Sequence, residues 1–419
     1  MKVLHINKFD STGGAALAAV RLLQAQRAYG IDAHMLVLQK QSDSQYITPI
    51  FKSIKGQIFQ NLKFISEILW FTRYEKDRQN RFTFSPARFG FNLHKHPLVK
   101  NADILHIHWI NQGFISLPGL QKLTTLGKPI VWTLHDLWPV TGGCHYPGNC
   151  DNFTSGCGHC PLLKKPGKND LSAIQNKRKE DIYSKGTIAF VGCSQWIKNE
   201  AEKNSLTKLL NPPFYQIFNP IDLNLYCPAP KDEVRRRLGL PRDKNLLLLG
   251  AANIFDPRKG TQYLIKALKN LATQHPKLLK EIELITFGKN TNIFQEKLAF
   301  PIHDLGLVKD EVKMAQLYQA SDLFILSSLQ DNLPNTVVES LACGTPVVAF
   351  NIGGVPEMIH HKNNGYLAQS GQWDKLSEGI LYVLKNHEQL STNARKFAKN
   401  NFAPHIIARK YNEIYRSFH

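Results

Sequence analysis

Short runs of consecutive apolar residues alternate with longer amphipathic stretches along the first half of this chain. Buried strands are predicted at residues 3–7, 33–38, 104–109, 130–134 and 188–193. The segment 15–29, rich in Ala and Leu, follows the first strand and is predicted to be a helix. Strands that alternate with helices indicate βαβ units and a parallel sheet, so the fold class is α/β.

The same alternation starts again in the second half. Strands are predicted at 245–251, 282–287, 322–327 and 347–350, and helices at 261–274, 314–320 and 374–385. Two such sets in 419 residues predict two domains, 1–212 and 213–403, with the boundary at Pro212-Pro213. The last segment, 404–419, is predicted to be a long basic helix that could pack on either domain.

The most informative stretch is 327–357, where Asp331 and Glu339 flank a turn and the start of a helix. The turn residues between them are Asn332, Leu333, Pro334 and Asn335. Two carboxylates in this position can meet one polar ligand from two sides. The N–H groups of the turn and of the helix start suit a ligand phosphate.

Two other loops follow predicted strands and open predicted helices. Gly13 and Gly14 let a ligand approach the backbone, or they simply make a tight turn. Arg258 and Lys259 place two cations at a strand end, which suits a diphosphate, although such a pair is often only solvated.

Histidines end two strands of the first half. His135 follows the strand 130–134, so we expect it at the carboxyl edge of the sheet, where ligands bind in such folds. A structural histidine bonded to a neighbouring carbonyl is the alternative. His106 and His108 lie one strand earlier with weaker claims.

Four of the seven cysteines lie within 17 residues, at Cys144, Cys150, Cys157 and Cys160. The Cys157-x-x-Cys160 spacing is typical of half a zinc site, and the other two can complete a set of four thiolates. The sequence therefore indicates a structural zinc, with two disulfides or four free thiols as alternatives.

The net charge is +19, and residues 1–210 carry +13 of it, from 27 Lys and Arg against 14 Asp and Glu. This excess of positive charge indicates either an anionic partner or a solvated basic surface. The sequence contains no RNA-binding signature, so we do not expect nucleic acid as the partner. The segment 51–100 contains a basic, aromatic-rich helical pattern, which predicts either a membrane-surface helix or one packed on its own domain. With no long apolar run and no leader, we expect a cytoplasmic protein, either free or peripheral on the inner face of the membrane.

Taken together, these features resemble the family 4 glycosyltransferases, which have the GT-B fold. The resemblance covers most of the chain and is strongest over 306–357, where LYQASDLFILSS, VVESLACGTPVVAF and GGVPE match the donor-domain pattern. The stretch TLHDLWPVTGGCHYPGNC resembles a subgroup that builds bacterial surface polysaccharides.

The resemblance implies two Rossmann-like domains facing a cleft, the first for the acceptor and the second for the donor. It also implies that the last helix, 404–419, packs back on the first domain. It implies a retaining transfer from a nucleotide sugar to a lipid-linked or saccharide acceptor, with no catalytic metal. An epimerase or phosphorylase of the same fold, or a binding protein without activity, are the alternatives.

By position, the resemblance places His135, Asp331 and Glu339 in the catalytic centre, with Asp331 near the donor hexose and Glu339 on the ribose. The donor-binding residues it implies are Gly13, Gly14, Asn253, Arg258, Lys259, Ser328, Asn332, Leu333, Asn335 and Glu339. Three departures stand out. Asp331 replaces the usual Glu, Pro334 removes a backbone donor, and Asn253 lies near the position of the family arginine.

Overall fold

A computed structural model describes residues 1–78 and 81–418, and the chain divides into two compact units. Unit 1 comprises Met1–Phe218 with Ile407–His419, and unit 2 comprises Asn219–Ile406. Residue 419, the last position of the predicted terminal helix, lies outside the described residues.

Unit 1 is built on a sheet of seven parallel strands in the order β3-β2-β1-β4-β5-β6-β7. The strands are β1 (Lys2–Phe9), β2 (Asp32–Gln39), β3 (Ile47–Pro49), β4 (Ile104–Ile107), β5 (Ile130–Leu134), β6 (Ile188–Gly192) and β7 (Phe214–Gln216). The helices are α1 (Gly14–Ala28), α2 (Ile54–Phe71), α3 (Pro97–Asn101), α4 (Leu117–Thr124), α5 (Leu171–Tyr183), α6 (Gln195–Glu202) and α7 (Ser205–Leu210).

Unit 2 has a six-stranded parallel sheet in the order β10-β9-β8-β11-β12-β13. The strands are β8 (Asn245–Asn253), β9 (Ile282–Lys289), β10 (Ile302–Asp304), β11 (Leu323–Leu326), β12 (Val347–Asn351) and β13 (Gly365–Gln369). The helices are α8 (Lys231–Leu238), α9 (Thr261–Gln274), α10 (Asn292–Lys297), α11 (Glu311–Ala320), α12 (Asn335–Ala342), α13 (Trp373–Lys385) and α14 (His387–Asn401), followed by α15 (Pro404–Arg416).

Both sheets have the doubly wound order of Rossmann-like domains, which confirms the predicted fold class. Their central strands read as continuous apolar runs because helices cover both faces; in β5, for example, all five residues are buried. Short strands such as β3, β7 and β10 have only three residues each, too few to produce a recognisable pattern.

Unit 1 extends six residues beyond the boundary expected at 212/213. The reason is β7, which pairs with β6 and therefore keeps the chain in the first sheet past Pro213. Most of α15 belongs to unit 1, where Ile407, Tyr411 and Tyr415 are buried in the same hydrophobic cluster as Val3. Within the part of the chain that the structure describes, no helix has the length and apolar character needed to cross a bilayer.

The central strand β11 of unit 2 is preceded by a charged anchor, Asp322. Its carboxylate accepts hydrogen bonds from Lys231 Nζ at 2.6 Å, Arg235 Nη2 at 2.7 Å and the Leu246 amide at 2.7 Å. Arg235 is itself buried, so its positive charge depends on this carboxylate. The anchor ties α8 to the two strands that flank the middle of the sheet.

We expect Asp322→Ala to lower the free energy of unfolding of unit 2 by about 3–5 kcal/mol, because it leaves the buried Arg235 without its counter-charge. The control is Glu233→Ala on the same helix, which breaks the exposed ion pair with Arg237 and should cost less than about 0.5 kcal/mol. Denaturant unfolding followed by circular dichroism measures both. Equal effects of the two substitutions would contradict the anchor role.

Candidate functional site

The order of the second sheet reverses between β8 and β11. The chain moves outward to β9 and β10 on one side and to β12 and β13 on the other, so the connections leave in opposite directions. Such a reversal opens a crevice at the carboxyl edge of the sheet, where ligands bind in doubly wound folds. The loops that follow β8, β11 and β12 meet at this edge, and they contain five of the ten predicted donor-binding residues: Arg258, Lys259, Ser328, Asn332 and Leu333.

Lys259 and Asp331 form an ion pair across this crevice. Lys259 Nζ, in the loop after β8, lies 2.8 Å from Asp331 Oδ2, in the loop after β11. Both side chains are partly buried, at 25% and 16% exposure. The two residues were predicted to serve different parts of a donor, and the structure brings them into direct contact.

Arg258 is paired within its own loop. Its guanidinium donates to both carboxylate oxygens of Asp256, at 2.5 and 3.2 Å. The side chain is 40% exposed, so its charge is within reach of solvent and of an anionic ligand.

Two glycines allow the loops to approach one another. A Cβ atom at Gly260, where φ is +61°, would lie 2.1 Å from the Ser327 carbonyl oxygen. At Gly353, where φ is +51°, it would lie 1.9 Å from the Asp331 carbonyl oxygen. Only glycine fits such close contacts. A hydrogen bond also joins the two loops, because the Ser327 hydroxyl donates to the Lys259 carbonyl at 2.8 Å.

Ser328 has a buried polar group that the protein does not satisfy. Its side chain is 1% exposed, and its Oγ has no hydrogen-bond partner among the residues that the structure describes. An orphaned hydroxyl of this kind costs about 1–3 kcal/mol in the folded state. Such a group suits a ligand or a bound water, and its role as a donor-binding residue stays a prediction.

The second carboxylate, Glu339, lies in the middle of α12 and is 5% exposed. Tyr318 of α11 donates its hydroxyl hydrogen to Glu339 Oε2 at 3.1 Å. Burial raises the pKa of Tyr318 well above 10, with Glu339 adding to the effect, so the tyrosine remains a donor. This contact fixes one side of the carboxylate.

The remaining predicted donor residues occupy two places. Asn332 and Leu333 are buried in the turn before α12, and Asn335 is its first residue. Asn253 is exposed at the end of β8, where its side chain accepts from the Phe255 amide at 3.0 Å. Gly13, with φ +90°, caps α1 in unit 1, and no atom lies within 4 Å of its Cβ position.

The strand order of the sheet in unit 1 reverses between β1 and β4, and histidine side chains occupy that position. His5 of β1 is the register partner of His106 of β4, and their rings stack at 4.6 Å. His108 follows two residues later and stacks on His106 at 4.4 Å. His135, after β5, lies at the edge, half-buried.

These four rings are held neutral. Desolvation lowers the pKa of His5 and of His135 to about 4, although a bond to Gln26 and the charge of Asp136, respectively, oppose the effect. Desolvation also lowers the pKa of His106 and His108 well below 6.5, and the neighbouring rings add to it.

Nitrogen atoms of His5, His106 and His108 lie within 4.8 Å of one another, the spacing of a metal site. Each of their six ring nitrogens nevertheless has a hydrogen-bond partner already. The rings are stacked, while nitrogen lone pairs lie in the ring planes and would not converge on one ion. Hydrogen bonding therefore accounts for this cluster, and we assign no metal to it.

The cysteine-rich loop 144–160 lies beside Asp136. His145 Nδ1 is 2.7 Å from Asp136 Oδ2, and its Nε2 is 2.8 Å from Ser85 Oγ. Burial alone would raise the pKa of Asp136, but the His145 charge and hydrogen bond outweigh it and lower that pKa. His145 of this loop therefore helps to fix the position of Asp136, which is the residue next to His135.

The structure has the four clustered cysteines as free thiols rather than two disulfides. Burial raises the pKa of Cys157 and of Cys160 to about 11, and Cys144 interacts electrostatically with all three of the others. Among the described residues, however, no three of these sulfurs lie within 4.8 Å of one another. Tetrahedral zinc with Zn–S bonds of about 2.3 Å requires sulfurs about 3.8 Å apart, so the site is not assembled at ligand spacing.

Several residues that shape the site were not identified from sequence: His5, Gln26, Tyr318, Lys179 and Tyr415. A polar side chain inside a predicted buried strand, as at His5, was a signal that could have been used. The helix residues carried no such signal, because Gln and Tyr on an amphipathic helix are unremarkable before the packing is known.

Residues 230–401, which fall in unit 2, match the family described as glycosyl transferases group 1. Over 364 residues the chain is 24% identical to the putative colanic acid biosynthesis glycosyl transferase WcaC of Escherichia coli K12, covering 86% of this chain and 85% of that protein. Two solved structures share the fold. Anabaena HepE in complex with UDP-glucose has a TM-score of 0.63 at 18% identity, covering all of both chains. Sucrose-phosphate synthase of Thermosynechococcus elongatus has a TM-score of 0.67 at 17% sequence identity, and the match covers 100% of this chain and 99% of that one.

The two doubly wound sheets, the loops converging at the switch point of unit 2 and these matches agree with one another. The chain thus has the GT-B fold, and its second unit is similar to the glycosyl transferases of group 1.

Proposed function

We propose that this protein is a retaining, hexose-transferring glycosyltransferase of family 4 that uses a nucleotide-sugar donor. Its acceptor is a lipid-linked or polysaccharide chain in bacterial cell-surface polysaccharide biosynthesis. The observation that carries the proposal is the cluster of Lys259, Asp331 and the orphaned Ser328 hydroxyl at the switch point of the second sheet. The name of WcaC and the UDP-glucose bound to HepE point to the same class of substrates.

Donor binding would exchange partners within this cluster. Without ligand, the charge of Lys259 is balanced by Asp331 and that of Arg258 by Asp256. A donor diphosphate would take over both cations, and the Asp331 carboxylate would then be available to accept from the hexose hydroxyls. The Ser328 hydroxyl would find its missing partner on a donor oxygen.

In this proposal Glu339 binds the ribose of the nucleotide. Tyr318 holds one carboxylate oxygen, which orients the group, and a carboxylate so oriented can accept from two adjacent ribose hydroxyls. This is the role that the family resemblance implies for the second carboxylate.

The chemical step would separate charge. When the glycosidic bond breaks, negative charge develops on the leaving diphosphate, and Lys259, Arg258 and nearby N–H groups can stabilise it. In a same-face mechanism, which retains the anomeric configuration, the leaving phosphate accepts the proton of the acceptor hydroxyl. No protein nucleophile or catalytic metal is required, and we assign His135 to the reacting sugar.

We expect Lys259→Ala to reduce transfer at least about 100-fold, because it removes a cation that stabilises the leaving group. Glu339→Gln should weaken donor binding. The control is Lys266→Ala, an exposed lysine on α9, which should behave as wild type. Binding is measured by thermal shift with a panel of nucleotide sugars that includes UDP-glucose, and transfer by release of the nucleoside diphosphate.

Wild-type activity in Lys259→Ala and Glu339→Gln would overturn the site assignment. Following the donor by NMR tests the alternatives as well. Inversion at a ring carbon would indicate an epimerase, and binding without any transfer or donor hydrolysis would indicate a protein that only binds nucleotide sugars.

Unit 1 also presents an apolar helix face to solvent. Ile58, Leu62, Ile65 and Leu69 of α2 are each 48–64% exposed and lie on one stripe, whereas the polar Glu67 points inward. Burial raises the pKa of Glu67 to about 7. A helix with its apolar side outward needs another apolar phase to cover that side.

We propose that this face of α2 lies on an anionic membrane surface, on the inner side of a cytoplasmic membrane. The exposed basic residues that follow the helix, Arg73, Lys76 and Arg78, supply the matching charge. A membrane location suits a lipid-linked acceptor, and the excess of positive charge in residues 1–210 favours the same partner.

Replacing Leu62 and Leu69 together with Gln should weaken binding to vesicles containing phosphatidylglycerol at least about tenfold, because two apolar side chains no longer enter the interface. Leu209→Gln is the control, since Leu209 is equally exposed, at 67%, but lies on α7. Co-sedimentation with anionic and with zwitterionic vesicles measures the effect. Unchanged binding would contradict the proposal, and loss of a dimer would assign the face to self-association.

We also propose that the cysteine loop binds a structural zinc ion once its sulfurs draw together. Four consecutive residues, Gly156, Cys157, Gly158 and His159, have left-handed backbone conformations, a strained turn that needs a reason to persist. The Gly142 amide already donates to Cys157 Sγ at 3.2 Å. The buried Lys179 interacts electrostatically with the Cys157 and Cys144 thiols and would balance the negative charge of a zinc tetrathiolate.

Purified protein should contain about one zinc per chain, and replacing Cys157 and Cys160 with Ser should remove the metal and lower Tm. Cys227→Ser, outside the loop, is the control and should keep the metal. Metal analysis of wild type and both variants gives the answer. A zinc-free wild-type protein prepared without chelators would refute this proposal.

A further inference from the structure

A groove of about 340 Å³ lies on the surface of unit 1, between helices α4 and α5 and the segment 86–88. Its volume is within the range of protein ligand sites. Part of its lining is apolar and buried, and is formed by Ala87, Leu117 and Ile182. The groove contains none of the residues assigned above to the donor, so it is a separate candidate for a binding site.

Three of the lining side chains are exposed cations, Arg88, Arg178 and Lys185. Within the described part of the chain, none of them forms an ion pair with a carboxylate. Asp181 also lines the groove, three residues after Arg178 on α5, a spacing at which helix side chains can pair. Its only ion pair among the described residues is instead with Lys177, at 3.9 Å. The groove therefore has an excess of positive charge that an anion can balance.

Hydrogen bonds from both helices fix the segment that forms one wall of the groove. The Leu117 amide at the start of α4 donates to the Ala87 carbonyl at 2.9 Å. Gln175 Nε2 of α5 donates to the Pro86 carbonyl at 2.8 Å. Ala87 has a φ of +46°, a left-handed conformation that is unfavourable for a residue with a Cβ atom and persists only where its surroundings hold it. Arg88 is therefore attached to a rigid wall.

Gln175 also provides a hydrogen-bond acceptor that the protein leaves unused. The side chain lines the groove and is 2% exposed, and its Oε1 has no partner in the ranges that the structure describes. The bond to Pro86 fixes the amide, because exchanging its two groups would place Oε1 against a carbonyl oxygen. A buried acceptor without a partner is costly, and a hydroxyl group that reaches Gln175 would supply the missing hydrogen. The groove thus combines positive charge with an acceptor for a hydroxyl.

The groove adjoins α2, the helix with the exposed apolar stripe. The Arg88 guanidinium lies 5.9 Å from the centre of the Trp70 ring, and Trp70 follows Leu69, which at 64% is the most exposed residue of that stripe. Glu67 of α2 accepts from the Phe89 amide at 3.2 Å, so the helix is attached to the wall that contains Arg88. An anionic group in the groove would therefore lie beside a bilayer that covers the stripe.

We propose that this groove binds the headgroup of phosphatidylglycerol. Its phosphate lies among the three cations, and its glycerol hydroxyls lie toward Gln175. Guanidinium groups bind phosphate oxygens through paired hydrogen bonds, and the glycerol supplies the donors that a phosphate without hydroxyls lacks. The inference rests on the membrane contact proposed for α2 only for the source of the group, because a soluble glycerol phosphate has the same chemistry.

A soluble headgroup tests the groove without a membrane. Glycerophosphoglycerol should raise the Tm of the full chain more than dimethyl phosphate does, because both are singly charged phosphodiesters but only the first has hydroxyl donors. Arg178→Gln combined with Lys185→Gln should abolish this difference. The matched control, Lys2→Gln combined with Lys208→Gln, removes the same charge from exposed lysines outside the groove and should keep it. Lys259→Ala should also keep it, since Lys259 belongs to the proposed donor site of unit 2.

Vesicles decide whether the group comes from a lipid. Wild-type protein should bind vesicles containing phosphatidylglycerol about 3- to 10-fold more tightly than vesicles with the same fraction of phosphatidic acid, the equivalent of one net hydrogen bond. The Arg178→Gln and Lys185→Gln double variant should bind both kinds equally. The Leu62→Gln and Leu69→Gln double variant should bind both more weakly and keep its Tm response to glycerophosphoglycerol, which separates the groove from the apolar stripe.

Equal Tm responses of the wild type to the two phosphodiesters, or equal responses of the groove and control variants, would overturn the proposal. A Tm response that depends on the groove, without a preference for phosphatidylglycerol vesicles, would assign the site to a soluble glycerol phosphate and overturn the lipid assignment. None of these measurements depends on transfer. A protein with no transferase activity would therefore refute the proposed function and leave the groove results intact.

Discussion

A parallel sheet whose connections leave in opposite directions must open at one edge, and both units of this protein are organised around that opening. The strand order places β1 beside β4 and β8 beside β11, so no crossover covers the carboxyl ends between them. The loops that follow these strands are the parts of each unit free to vary without disturbing its core. In each unit, polar residues collect at that place.

The two openings are filled in different ways. In unit 2, opposite charges lie in the loops, and Lys259 and Asp331 neutralise one another across the crevice. An anionic ligand can take the place of Asp331 beside Lys259, because the displaced Asp331 carboxylate remains close to solvent. In unit 1, the polar groups lie on the strands themselves, within the sheet, where an unpaired nitrogen would be costly. They are satisfied by one another, and their hydrogen bonds consequently depend on each other.

This difference explains how much could be predicted. Apolar runs and glycine-bounded turns predicted the long central strands and both Rossmann-like units, because a strand covered on both faces must be apolar along its whole length. The loop residues of unit 2 could also be predicted from sequence, since Lys259, Ser328 and Asp331 lie in the loops that follow recognisable strands. Short edge strands were missed, and so was the extension of unit 1 to Phe218, because three residues of β7 carry no pattern of their own.

The amino-acid sequence by itself determined the α/β class, the two repeated units and the loops in which polar residues collect. Only the tertiary structure decided which of these residues meet. It paired Lys259 with Asp331 rather than leaving each for a separate part of a ligand, left Ser328 without a partner, and placed the apolar stripe of α2 toward solvent. It also joined Gln26 and Tyr415, 389 positions apart, into one chain of hydrogen bonds with His135. Local periodicity reports which side of an element is apolar, whereas hydrogen-bond partners distant in sequence depend on how strands and helices are stacked.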